Sequence, residues 1–209
     1  MAIEIKWIGH ASFKISACDK VVYIDPWKVT DSCHDADYIL VSHSHHDHYS
    51  ADDIEKISKD GTSLIGSADV IAKQGNGHAI KPGKALDLNG ITVTAVAAYN
   101  PDKDFHPMTN EWVGFVIEID GKKIYYAGDT GVTSEMKTLI DIDMALVPVG
   151  GTYTMNPQEA ATAVNTIKPK AALPYHWGDI VGDIADAELF DELANCTVEI
   201  LNPGQSVMI

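Results

Sequence analysis

The sequence predicts an α/β fold made of two halves, each with strands at its start and helices later, packed sheet against sheet. Short runs of β-branched and aromatic residues, separated by turn residues, predict the strands. Capped and amphipathic segments predict the helices. The 209 residues include no low-complexity or linker-like segment, so a single domain covering 1–209 is expected. A chain of this length buries roughly 70% of its unfolded surface and needs no cross-links.

The first half is predicted to be mostly strand. Its apolar, β-branched runs are Ile3–Ile8, Ser12–Ser16, Val21–Ile24, Tyr38–Val41 and Ser63–Ile65. Ser50 is a predicted helix N-cap because Asp53 follows three residues later. Ile54 and Ile57 then share one face of that helix. A second short helix is expected at Ala68–Lys73.

The second half carries clearer turn and cap signals. Asn89-Gly90 and Asp120-Gly121 predict hairpin turns. The expected strands are Ile91–Ala97, Val113–Ile119, Lys122–Ala127, Met144–Val149, Ala171–Pro174, Thr197–Leu201 and Ser206–Ile209. A helix is predicted to begin at Pro157, because Asn156 is a favourable N-cap and proline suits the first helical position. Further helices are expected at Ser134–Ile140 and Asp186–Ala194.

Charge and composition exclude several classes of protein. Fifteen Lys and Arg residues against thirty Asp and Glu give a net charge of −15. Such a field repels phosphate backbones and anionic lipids but suits divalent cations, so neither nucleic acid nor a membrane is an expected partner. The apolar runs are far shorter than the roughly 18 residues of a membrane span, and a signal peptide is not expected. Three cysteines without a C-x-x-C pair exclude a disulfide scaffold and predict a cytoplasmic location.

Four histidines lie within six positions, in the segment His43-Ser44-His45-His46-Asp47-His48. The segment follows a predicted buried strand and precedes a capped helix. Neutral imidazoles and carboxylates are good ligands for Zn²⁺, Fe²⁺ or Mn²⁺. The competing interpretation is a solvated, histidine-rich turn. Downstream, Asp129 and His176 each follow the end of a predicted strand, which completes the donor set of a dinuclear metal site.

This arrangement resembles the metallo-β-lactamase superfamily. The resemblance rests on the H-x-H-x-D-H run, on Gly128-Asp129-Thr130 and on His176. Within the superfamily, Trp7-Ile8-Gly9-His10-Ala11, Asp25-Pro26 and Pro148–Met155 resemble UlaG-like, UPF0173-type metal-dependent hydrolases. The resemblance implies a four-layer αββα sandwich, with two mixed sheets and helices on the outer faces.

The resemblance also implies two divalent metal ions, zinc most readily, with manganese or iron as alternatives. One ion would take His43 and His45 with a third imidazole, and the other would take Asp47, His48 and His176, with Asp129 bridging both ions. His46 stands at a variable position of the motif and is not expected to bind.

The third imidazole departs from the usual pattern. Most members of the superfamily place a histidine directly after the strand that Ile91–Ala98 represents, whereas this sequence has Tyr99-Asn100 there. The next histidine is His106, which we expect to be the ligand. Asn100 as a weak ligand, or a water molecule in that place, are the alternatives.

Two further residues are expected to support the site. The resemblance makes His10 a candidate for substrate binding or proton transfer, with a structural hydrogen bond as the alternative. Asp25 is expected to orient a ligand histidine by accepting a hydrogen bond from its ring, unless it only forms an Asp-Pro turn.

The predicted activity is hydrolysis of an ester, lactone or phosphodiester bond in a small molecule by a metal-bridging hydroxide. Asp47 or Asp129 would accept a proton, and His10 or a metal-bound water would donate one to the leaving group. The sequence lacks the G-x-S-x-G element of a serine nucleophile. The alternatives are a mononuclear-iron oxidoreductase of the persulfide dioxygenase type and a non-catalytic, metal-bound binding protein. A homo-oligomer is also open.

Overall fold

Residues 2–209 are described by a computed structural model, in which they form two mixed seven-stranded sheets. The sheets belong to two compact units. The first unit comprises the residues up to Ile80 together with Leu201–Ile209, and the second comprises Lys81–Ile200. Two mixed sheets with their helices confirm the predicted α/β class.

The first unit contains seven strands and two helices. The strands are β1 (Glu4–Gly9), β2 (Ser12–Ala17), β3 (Lys20–Ile24), β4 (Ala36–Val41), β5 (Ser58–Gly66), β6 (His78–Ala79) and β14 (Ser206–Met208); the helices are α1 (Ala51–Ile57) and α2 (Ala68–Gln74). The strand order is β14-β1-β2-β3-β4-β5-β6. Pairing is antiparallel from β14 to β3 and parallel from β3 to β6.

Local signals account for the helices of this unit. The Ser50 side chain accepts a hydrogen bond from the Asp53 amide at 3.2 Å, as predicted for an N-cap. Ile54 and Ile57 of α1 pack with Ile39 of β4 in one buried cluster. Because β4 is fully buried at its end, the loop that follows it is anchored by the core of the unit.

The second unit contains seven strands, two α-helices and two 3₁₀ turns. The strands are β7 (Ala85–Asp87), β8 (Ile91–Ala97), β9 (Val113–Ile119), β10 (Lys122–Tyr126), β11 (Met144–Pro148), β12 (Ala171–Tyr175) and β13 (Thr197–Val198); α3 is Pro157–Ile167, α4 is Ile184–Leu193, and the 3₁₀ turns are Met108–Asn110 and Ser134–Thr138. The order is β13-β12-β11-β10-β9-β8-β7. Strands β7 to β10 are antiparallel, and β10 to β13 are parallel.

The predicted turns and caps of this unit are confirmed. Asn89 and Gly90 have φ of 54° and 96°, and Asp120 and Gly121 have φ of 49° and 71°. Both central residues of each turn are therefore left-handed, as a type I′ hairpin turn requires. At α3, Asn156 forms a complete capping box with the third helical residue.

Several predicted boundaries were wrong. The segment predicted as a helix at Ser134–Ile140 is a 3₁₀ turn of five residues, a form that runs only a few residues. The strand predicted at Thr197–Leu201 is two residues long. Helix α4 begins two residues before its predicted start, because Asp183 provides its N-cap. The short strands β6 and β7 were not predicted. None of the helices formed by residues 2–209 combines the length and apolarity that a membrane crossing needs.

Candidate metal centre

The histidine-rich loop of the first unit joins β4 to α1. Its turn is closed by hydrogen bonds from the His48 and Tyr49 amides to the His45 carbonyl, at 3.1 and 2.8 Å. Asp47 and His48 are buried, with 8% and 0% of their surfaces exposed. A solvated turn would leave these groups in water. The buried polar groups therefore favour a built site.

Two imidazoles of this loop converge. His43 Nε2 lies 3.1 Å from His45 Nδ1. Two nitrogen ligands on one tetrahedral zinc ion, each about 2.0 Å from it, are about 3.3 Å apart. The spacing of this pair therefore fits a shared metal ion. His45 and His46 are both exposed, whereas His43 is buried.

Asp25 and Ser42 hold the rings of this loop in place. The Asp25 carboxylate accepts hydrogen bonds from the Ser42 amide at 2.7 Å and the Ser42 hydroxyl at 2.5 Å. Its Oδ2 also lies 2.6 Å from His48 Nδ1. The Ser42 hydroxyl is 2.9 Å from His43 Nδ1. The contact of the carboxylate with Nδ1 orients the ring of His48, which is the supporting contact expected of Asp25.

His10 meets Asp47 directly. It follows β1 in the left-handed region, at φ 48°, and is 3% exposed. Its Nε2 is 3.0 Å from Asp47 Oδ2, and the same oxygen is 3.8 Å from His48 Nε2. This buried contact with a predicted ligand is compatible with both expected roles of His10, a structural hydrogen bond and proton transfer.

The second unit brings together the other three predicted residues. His106 Nε2 and His176 Nε2 lie 3.2 and 3.4 Å from the same oxygen, Oδ2 of Asp129. All three residues are buried, with 3%, 1% and 4% exposed for His106, His176 and Asp129. One carboxylate oxygen therefore lies near two imidazole nitrogens, and atoms of both kinds can bind a metal ion.

Strand ends place these groups. Asp129 follows β10 and His176 follows β12, and the strands from β10 to β12 run parallel, so their carboxyl ends meet at one edge. The Tyr175 hydroxyl donates to the Gly128 carbonyl at 2.7 Å and fixes the turn before Asp129. His176 and His106 have φ of 62° and 57°, a region that non-glycine residues rarely adopt. Such backbone strain concentrates at functional sites.

An ionised carboxylate supports the segment after β8. The Tyr99 hydroxyl donates to Glu135 at 3.1 Å. Burial and then this bond raise the pKa of Tyr99. Burial opposes the ionisation of Glu135, but the hydrogen bonds that it accepts lower its pKa overall. Glu135 is therefore an anion that anchors the residue just before Asn100.

The donor set of each unit fits a divalent metal ion. Imidazole nitrogens and carboxylate oxygens bind zinc, manganese and iron alike. Ser42 was missed in the sequence, although its position directly before His43 is a signal for a supporting hydroxyl. The carbonyl of Tyr153, which lies 3.1 Å from His106 Nδ1, carries no signal in the sequence because any residue has a carbonyl.

Comparisons with known proteins identify the family of this chain. Residues 4–176 match the β-lactamase superfamily domain. A UPF0173 metal-dependent hydrolase of Thermococcus onnurineus is 32% identical, with 97% of this chain and 98% of that protein covered. A UPF0173 metal-dependent hydrolase of Pyrococcus abyssi is 33% identical, with 98% and 99% covered.

Solved structures match over the same length. A crystal structure of a candidate metal-dependent hydrolase from Parabacteroides distasonis has a TM-score of 0.88 and 32% identity, with 97% of this chain and 94% of that chain covered. Igni18, a metallo hydrolase from Ignicoccus hospitalis, has a TM-score of 0.82 and 24% identity, with 100% and 99% covered, and shows the fold alone.

Proposed function

The chain belongs to the β-lactamase superfamily, and from this premise we propose that it is a metal-dependent hydrolase whose centre holds two divalent ions, most readily zinc. The family and the matching structures confirm the predicted metallo-β-lactamase fold. The observation that carries the proposal is the buried group formed by His106, Asp129 and His176, in which two imidazole nitrogens face one carboxylate oxygen.

The proposed ligands are the seven residues that the resemblance implies. The first unit contributes His43, His45, Asp47 and His48, and the second contributes His106, Asp129 and His176. The converging rings of His43 and His45 support the first part of this set. The hydrogen bonds of Asp25, which leave Nε2 of His48 as its ligand atom, support the second.

A bound divalent ion would supply a nucleophile, since it lowers the pKa of water from 15.7 towards roughly 7, and would polarise the attacked group. Proton transfer is assigned to residues of the chain. Asp47 and Asp129 are the proposed proton acceptors. Because His10 Nε2 lies 3.0 Å from Asp47 Oδ2, a proton can pass between this carboxylate and this imidazole, and His10 is the proposed donor to the leaving group.

The proposed substrate is a small molecule with an ester, lactone or phosphodiester bond. The net charge of −15 disfavours a polyanion such as RNA, because the repulsion acts over the whole surface. A single phosphodiester or a neutral lactone meets far less of this repulsion.

The test is the metal content of the protein, purified without added metal or chelator, measured by mass spectrometry. We expect about two equivalents of zinc or manganese per chain, by the ligand count of two metal sites. His176→Ala is expected to lose about one of them. His78→Ala, at an exposed position of β6, is the control and retains both. Lactones and phosphodiesters are then screened, and Asp129→Asn abolishes any turnover found.

Two outcomes contradict the proposal. A single iron per chain, with activity only when oxygen is present, would indicate oxidation chemistry instead. Absence of metal even after reconstitution would show that the ligand set does not bind, and the hydrolase assignment would be lost with it.

A further inference from the structure

Asn100 lies three residues after the end of β8, at the position where the superfamily resemblance places a metal-binding histidine. Its side chain is buried, with 6% of the residue exposed. A buried amide at this position is either itself a ligand, through Oδ1, or a support for another ligand. The contacts of its two side-chain atoms separate these roles.

The backbone leads away from Asn100 and comes back beside it at His106. The Asn100 amide donates to the His106 carbonyl at 3.0 Å. The segment from 100 to 106 is therefore a closed excursion, and His106 comes back beside the end of β8. In this way an imidazole six residues later in sequence reaches the place that the resemblance assigns to the residue after the strand.

The side-chain amide of Asn100 uses its nitrogen to close the excursion. Nδ2 donates to the Phe105 carbonyl at 2.8 Å and to the Tyr153 carbonyl at 2.8 Å. The Tyr153 carbonyl is also 3.1 Å from His106 Nδ1. One acceptor therefore holds both side chains. His106 Nδ1 has two neighbours, the Tyr153 carbonyl and, at 3.3 Å, Asn100 Nδ2. When Nδ1 donates to the carbonyl, Nε2 carries the lone pair.

The oxygen of Asn100 points to a different neighbour. A Cβ placed on Gly131 would lie 3.2 Å from Asn100 Oδ1, so the oxygen rests closely against the glycine backbone. Within residues 2–209 this oxygen accepts no hydrogen bond. His106 Nε2 lies 3.2 Å from Oδ2 of Asp129, a predicted ligand, so this imidazole nitrogen is placed among the donor atoms of the site.

The turn that supplies the Tyr153 carbonyl is itself held. Lys103 Nζ, within the excursion, donates to the carbonyls of Gly151, at 3.2 Å, and of Thr154. It also pairs with Glu159 at 2.8 Å. The carbonyl is thus fixed relative to the excursion on both sides.

We infer that Asn100 is a positioning residue that fixes the imidazole of His106 for metal binding and does not itself bind the ion. The inference rests on the proposed function, because it needs His106 to be a ligand. The inference gives a physical reason for the departure from the superfamily pattern. The metal-binding imidazole is that of His106, at the end of the excursion, and the side chain of Asn100 closes that excursion.

Asn100→Asp separates the two roles, because it keeps the shape of the side chain. A carboxylate is a better ligand than an amide oxygen, so a ligating Asn100 would bind metal as tightly or more tightly after this change. A positioning Asn100 would lose both donors and place a second oxygen against two carbonyl oxygens. Loss of such a supporting contact typically costs 10–100-fold, roughly, in metal affinity.

The experiment titrates the metal-free protein with Zn²⁺ and records the visible spectrum of the Co²⁺-loaded protein, which reports the ligands directly. We expect Asn100→Asp to weaken binding of one ion by about 10–100-fold and to shift the Co²⁺ spectrum in the same direction as His106→Ala. Asn110→Asp has the same change of charge at an exposed position and is expected to behave as the wild type. Circular dichroism checks that each variant is folded.

Unchanged or tighter binding by folded Asn100→Asp overturns the inference. If that variant does not fold, Asn100→Ala removes both donors without adding charge, and binding as tight as in the wild type then overturns it. A wild type that binds no metal contradicts the proposed function itself. If the wild type binds two ions and Asn100→Asp binds them equally well, only the positioning role is contradicted.

Discussion

The two units hold their predicted ligands in different ways. In the first unit the ligands lie in one six-residue segment, and side chains support them: Asp25 and Ser42 contact the rings of His43 and His48. In the second unit the ligands are far apart in sequence, and their support runs through backbone carbonyls: that of Tyr153 contacts His106, and that of Gly128, before Asp129, accepts from the Tyr175 hydroxyl. A motif therefore identifies the first set, whereas only the strand order brings the second set together.

We expect the largest loss of stability when the side-chain support of the first unit is removed. Asp25 is fully buried and accepts from two groups of Ser42 besides contacting His48. Asp25→Ala leaves these polar groups unsatisfied, so we expect a loss of about 3–5 kcal/mol in the free energy of unfolding of the metal-free protein. Urea denaturation measures it.

Asp31→Ala, at an exposed site in the same unit, is the matched control. A loss no larger than that of the control would show that the rings are held by packing alone. The comparison between a side-chain-supported and a backbone-supported half would then fail.

A smaller effect is expected at the turn before Asp129. Tyr175→Phe removes the buried hydrogen bond to the Gly128 carbonyl. We expect a loss of about 1–2 kcal/mol in stability, because a buried carbonyl loses its partner, together with weaker metal binding at the site that contains Asp129. Thermal unfolding and a zinc titration measure the two effects.

Tyr49→Phe serves as the reference for that change. It removes a partly exposed hydroxyl contact with Gln74 in the first unit, at 2.9 Å. Weaker metal binding in Tyr175→Phe but not in Tyr49→Phe sharpens the comparison. Equal metal binding in both variants argues against a role for the Gly128 turn.

We expect the smallest loss of stability from a change beside the strands that position Asp129. Asp143, beside the start of β11, accepts from the Lys123 amide of β10 at 2.9 Å and pairs with Lys170 at 2.7 Å. Burial opposes its ionisation, but the bonds from Lys170 and Lys123 lower its pKa below the usual value of 3.8. A lowered pKa in the folded state stabilises the protein above the unfolded-state pKa, and this stabilisation is lost as the pH falls through the folded-state pKa.

Asp143→Asn is therefore expected to lower stability at neutral pH by about 1 kcal/mol, since the ammonium groups remain largely hydrated. Its difference from the wild type should shrink below pH 3.8. Thermal unfolding from neutral to acidic pH measures this, and a difference that stays constant with pH would exclude the carboxylate as its cause.

Local signals predicted most of the fold. Asn156 caps the helix that begins at the next residue, and Asp120-Gly121 forms the turn between two adjacent strands. Each effect involves only residues close in sequence, so it can be predicted from the sequence alone. The 3₁₀ turn within Ser134–Ile140 could not be distinguished from an α-helix by the same local rules.

Part of the site was also predictable. The histidines and the aspartate of the segment from His43 to His48 predict metal binding by their composition alone. His106 could be found as the next histidine after Asn100, and the contact between Asp25 and a ligand ring is present. The bond from Asn100 to Tyr153 joins residues 53 positions apart through a backbone carbonyl. Only the folded chain shows such a contact.

At His106 and His176, which have a left-handed backbone, selection for stability and selection for metal binding favour different residues. Each such residue costs on the order of 1–3 kcal/mol, whereas glycine adopts this conformation freely. A library of random variants chosen only for heat resistance should therefore accumulate glycine at these two positions and lose both imidazoles. A library chosen for metal retention should keep histidine there. Sequencing the survivors of each would show where the chain sacrifices stability to retain its chemistry.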